Sequence, residues 1–156
     1  MPRRLILALL LASPALAQTP GLSLPFDGQA ARETGLDLAA SALANALLLS
    51  RDAAWAAGPR PMQPQIRAAL LSHFPAELLD SVEYRVGVAE DATVQSLSIR
   101  YGEATAVTTI DIITFAEALD AETNVALWAH EVKHAEQFRA WGLSEFARRY
   151  VRDPEG

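Results

Sequence analysis

The sequence predicts an α+β domain, and three features predict it. Residues 28 to 57 are rich in alanine and leucine and repeat their apolar positions at helical spacing. Between residues 82 and 115 the pattern shifts to alternation and to β-branched residues. Over residues 122 to 141 helical spacing returns, and two of the three histidines stand four apart. Helices first, a small sheet in the middle and helices last is an α+β order.

The N-terminus reads as a leader. Arg3 and Arg4 form a basic start, Leu5 to Leu11 open a short apolar stretch, and Ala15-Leu16-Ala17 is a small-x-small cleavage site. The expected organisation is a signal peptide over residues 1–17, a lead-in and helix over 18–61, and one domain over 62–156. The mature protein is expected to be exported, periplasmic or secreted. No later stretch approaches the roughly 18 apolar residues of a membrane span. The formal charge is −6, and losing Arg3 and Arg4 takes it to −8. That balance gives no electrostatic footprint for nucleic acid or anionic lipid. The chain has no cysteine, so any metal must be held by imidazole and carboxylate.

Within residues 28–57, Leu36, Ala40, Leu43 and Leu47 recur at i, i+4, i+7 and i+11, one helical face. Gly58, Pro59 and Pro61 end that helix. Residues 64–74 form a second helix with Pro64 at its start and His73 near its end, where an imidazole suits the helix dipole. Segments 82–90 and 94–102 alternate apolar and polar residues, and 107–115 is rich in β-branched residues. Together they predict a three-stranded antiparallel meander with turns at Glu90–Ala92 and Gly102–Ala104. Asp111 is placed on the solvent face of the third strand. Asp120 marks the next helix, which runs from about Glu122 to Trp141 with Gly142 as its C′ residue. Ser144 is the expected cap of a short last helix.

The chemistry concentrates in WAHEVKHAEQF, residues 128 to 138. Residues four apart on a helix lie about 40° apart and about 6 Å along the axis. His130 and His134 can therefore aim their rings at one Zn2+, which takes imidazole nitrogen at about 2.0–2.1 Å. Glu131 lies about 100° round from His130, suited to act as general base on a water that the ion acidifies. Each residue of His-Glu-x-x-His has its own task, and the substrate implied is a peptide or protein. The plainer reading is two core histidines satisfied by hydrogen bonds. Trp128, Val132 and Val125 cover the face opposite the histidines, whereas Lys133, Glu136 and Ala140 mark a narrow outward strip.

Residues from about 62 to 152 resemble a widespread bacterial family with a metallopeptidase-type motif, the extracellular contractile injection system core domain. PQIRAALLSHFPAELLDSVEYRVG resembles its helix, turn and first strand; AVTTIDIITF resembles the strand before its active helix; LWAHEVKHAEQF resembles that helix, with Gln137 at the family's glutamine. Val132-Lys133 departs from the family's Leu-Thr. The resemblance implies a minimal zincin-like fold, zinc at His130 and His134, and peptidase activity with Glu131 as base. It also implies that an edge strand within Val107 to Phe115 pairs with substrate backbone. A non-catalytic periplasmic binding or scaffold domain that keeps the helix is the alternative.

A catalytic zinc normally takes three protein ligands. No Gly-x-x-His follows His134, and only Glu145, Asp153 and Glu155 remain downstream as acids. Glu145 is the best placed, at the start of the last helix, where an acid is also simply favourable. Gln137 is placed to orient a ligand from behind. Tyr150 could donate to an oxyanion or pack.

Overall fold

The computed structural model describes residues 27–153. The leader, its cleavage site and Glu155 lie outside the described residues. Eleven elements follow one another: α1 (Gly28–Ala56), β1 (Arg60–Pro61), α2 (Pro64–Leu70), α3 (Ala76–Ser81), β2 (Glu83–Val86), α4 (Val94–Tyr101), β3 (Ala106–Thr109), β4 (Ile112–Phe115), α5 (Ala118–Thr123), α6 (Val125–Trp141) and α7 (Leu143–Arg152). The class is α+β, as the sequence predicts.

The sheet is not an antiparallel meander. Its order is β1-β2-β4-β3, with β2 parallel to β4 and the outer pairs antiparallel. Two local events cause the difference. Residues 94–102 coil into α4 instead of a strand. Thr93 caps α4 by accepting from the Ser96 amide, and Asp91 accepts from the Thr93 amide and hydroxyl. The fully buried residues of α4 are polar, Gln95 and Ser96. Gln95 donates to the Ser50 carbonyl of α1 and Ser50 in turn accepts from the Val94 amide. Tertiary polar contacts therefore override an alternating pattern.

The second event splits residues 107–115 into the β3–β4 hairpin. Ile110 takes φ +63°, where a β-branched residue is rarely found. Two contacts hold it there. Its side chain packs on the Leu47, Phe138 and Phe146 cluster. Next to it Asp111 accepts two bonds from Arg51 of α1, at 2.8 and 2.9 Å. Asp111 is thus a turn residue tied to α1, not a solvent-facing strand residue.

One sheet face carries Tyr84, Ile113, Phe115 and Ala106 into the main core, with Met62, Ile66, Leu70, Leu79, Val82, Trp128 and Val132. Trp128 anchors α6 there: its ring lies 4.8 Å from Phe115 and 5.2 Å from Tyr84, and its Nε1 donates to the Ala121 carbonyl at 2.9 Å. The predicted α1 face holds, with Ala40 and Leu47 buried and Leu36 and Leu43 half-buried. The helix expected from Glu122 breaks at Asn124, whose side chain caps α6 by accepting from the Leu127 amide. Gly142, φ +76°, turns the chain from α6 into α7, and no side chain caps α7, so Ser144 is not a cap. Gly142 has the conformational freedom that this left-handed turn needs.

Candidate functional site

α6 brings His130 and His134 together. Their Nε2 atoms are 3.2 Å apart and the rings meet edge to face, 4.8 Å between centroids. His134 is half-buried and His130 exposed. His134 Nδ1 lies 3.0 Å from Gln137 Oε1. A carboxamide oxygen only accepts, so with this partner the imidazole proton sits on Nδ1 and the Nε2 lone pair faces His130 Nε2. Gln137 thus fixes the tautomer that a metal ligand requires. Behind His134, Phe146 of α7 presents its ring at 6.3 Å, and Phe146 stacks on Phe138 at 3.7 Å.

Glu131 packs against the edge strand β3. It is 4 % exposed. Thr108 of β3 reaches its Oε2 at 2.7 Å and its backbone carbonyl at 3.0 Å. Thr108 carries no local signal in the sequence, where it is one β-branched residue in a run. Only the hairpin turns it toward α6.

Two imidazoles at this separation fit one tetrahedral ion: nitrogens bound at 2.0–2.1 Å subtend about 3.3 Å. A third ligand is not assembled among the described residues. Among the described residues no three His, Asp or Glu side chains group to hold a metal. Glu145 heads α7 as expected, but its carboxylate accepts from Arg149 Nε at 2.8 Å. That hydrogen bond, more than the surrounding positive charge of Arg149, Arg148 and Arg152, holds the Glu145 carboxyl below the usual range. Tyr150 is exposed and stacks near Phe146, 6.1 Å between centroids. His73 lies exposed in the turn after α2.

The expected edge strand resolves into two. β4, which leads toward α6, is interior to the sheet, and β3 is the edge. Ala106, Thr108 and Thr109 of β3 are buried, and α4 and α6 pack against the strand. No helix among the described residues is long and apolar enough to cross a membrane.

Comparison with known proteins places this arrangement. No curated protein and no solved structure matches the chain. A family model, the eCIS core domain, matches residues 61–142, from β1 through the whole of α6 to Gly142. The match takes in both histidines, Glu131, Gln137 and Thr108, and it spans just over half of the chain. The chain therefore belongs to the eCIS core domain family.

Proposed function

We propose that this protein is an exported, zinc-dependent peptidase-like hydrolase of zincin type, with His130 and His134 as metal ligands and Glu131 as general base. The observation that carries the reading is the 3.2 Å approach of two Nε2 atoms, one with its tautomer set by Gln137. With a proton on one Nε2 the pair shares an ordinary N–H···N hydrogen bond, whereas a cation would engage both lone pairs, and it is the fit of this separation to one tetrahedral ion that supports the metal. Zinc bound there supplies Lewis acidity, polarising a peptide carbonyl and acidifying water. The chain supplies the rest. Glu131 takes the proton of the attacking water and returns it to the leaving amine. Glu145 is the candidate third ligand, and to hold the ion it would have to leave Arg149.

The absence of a grouped third ligand among the described residues favours a second reading. In it the helix serves a non-catalytic periplasmic binding or scaffold domain, and metal or partner binding ends without hydrolysis.

Zinc analysis of the purified protein beside a His130→Ala/His134→Ala double variant tests the metal. About one zinc per chain in the parent and none in the variant is expected. A parent that stays metal-free after zinc addition and dialysis overturns the reading. Casein hydrolysis separates the two readings: the peptidase loses it on Glu131→Gln, whereas a binding domain never shows it.

A further inference from the structure

We infer that Thr108 is the positioning residue for Glu131, an inference that rests on the peptidase reading above for its catalytic meaning. One hydroxyl touches both the carboxylate and the main chain of the same residue, Oε2 at 2.7 Å and the backbone carbonyl at 3.0 Å. Both partners are acceptors and the hydroxyl has a single proton. The shorter, charge-assisted contact takes it. The hydroxyl therefore fixes the carboxylate relative to β3, the strand that packs on α6, the helix that carries His130 and His134.

The consequence is a division of labour between the two carboxylate oxygens. Oε2 is occupied by Thr108, and no donor among the described residues reaches Oε1. Oε1 is left as the oxygen that can accept a proton from water. The clamp is rigid at both ends. Thr108 is 7 % exposed, lies in β3 and is paired in register with Ile113 of β4. Glu131 lies in a buried part of α6, next to fully buried Val132 and one turn before buried Ala135. A general base displaced by about 1 Å can lose about 10²-fold in rate, so a clamp of this kind belongs to the base and not only to the fold.

Thr108→Val keeps the shape and removes the donor; Thr108→Ser keeps the donor and removes a methyl. With zinc-loaded full-length protein and fluorescein-labelled casein, Thr108→Val is expected to lower kcat about 10²-fold. Its KM and zinc content stay at parental values, and Thr108→Ser stays within about threefold of the parent. A purely structural threonine predicts the reverse order, because valine preserves packing better than serine. A second measurement is independent of activity. In the zinc-free protein, NMR should show the Thr108 hydroxyl proton in slow exchange, with a cross-peak to the Glu131 side chain and a shift on Glu131→Gln. A Thr108→Val enzyme with parental kcat, or a hydroxyl proton that ignores Glu131→Gln, overturns the inference. If the parent itself never cleaves casein, the peptidase reading fails, and the NMR result alone decides whether Thr108 positions Glu131.

Discussion

Replacing Glu131 by glutamine should make the zinc-free protein more stable while abolishing hydrolysis. The carboxylate is 4 % exposed, has one donor in Thr108, and no Lys or Arg among the described residues pairs with it. An ionised group in that setting carries a desolvation cost of several kcal/mol that a single neutral donor offsets only in part. Glutamine has the same shape and its oxygen keeps the Thr108 bond. Its amide group adds a donor that needs water, at a cost of about 1 kcal/mol. The net expectation is a gain of about 1–2 kcal/mol. With a urea slope of about 2 kcal/mol per molar for a domain of this size, the unfolding midpoint should rise by roughly 0.5–1 M. The assay is urea unfolding in EDTA, followed by tryptophan fluorescence, on parent and Glu131→Gln. A midpoint that stays put or falls would mean that the buried charge is satisfied by the fold, and the argument that Glu131 is kept for chemistry would collapse. Stabilisation on removing a residue that hydrolysis needs is the expected mark of a functional group held at a cost to the fold.

Trp128→Phe should destabilise the protein by about 2–4 kcal/mol, from the lost bond to Ala121 and the space left against Tyr84 and Phe115; a loss under about 1 kcal/mol in urea unfolding would remove Trp128 as the anchor of α6. Zinc titration should show Glu145→Ala weakening binding about tenfold and Arg149→Ala tightening it, because Arg149 competes for that carboxylate. Equal affinities in all three proteins would strike Glu145 from the ligand set. The Asp91 carboxyl is held below its usual range by the Ser96 and Thr93 hydroxyls and the Thr93 amide. Its folded value lies below its unfolded one, so the stabilisation is present at neutral pH and is lost as pH falls through the depressed value. Amide resonances of Thr93 and Ser96 should move together in that acid range and stay flat in Asp91→Asn.

The long periodic segments were legible and the short ones were not. The α1 stripe of Ala40 and Leu47, the class, and the helix bearing His130 and His134 follow from apolar spacing over many turns. Local pattern failed where tertiary contacts decide the backbone. In 94–102 the alternation of Val94, Leu97, Ile99 and Tyr101 suggests a strand, yet Gln95 and Ser96 are the residues that bury, through Ser50 of α1. In 107–115 no Gly or Asn announces a turn. Ile110 makes the turn in a conformation that costs of order 1–3 kcal/mol, offset by its apolar contacts and by the Arg51–Asp111 pair. At the site, His130, Glu131, His134 and Gln137 were readable because they share one helix. Thr108 was not, because its partner is 23 residues away across the hairpin.

That hairpin also explains how α1 matters to the site. The family match begins at residue 61 and excludes α1, which invites reading α1 as a detachable lid. Its contacts argue otherwise. Leu47 and Ala54 are buried, Ser50 holds α4, and Arg51 holds the turn at Asp111. Two residues separate Asp111 from Thr108, and one of them, Ile110, sits in a conformation that needs outside support. Removing α1 would strip both supports from that turn, the ion pair and the Leu47 contact. The strand that carries Thr108 would then lose its fixed position against α6. Residues 28–56 therefore belong to the core that keeps Glu131 in place, and the family-matched segment is part of a larger folded unit.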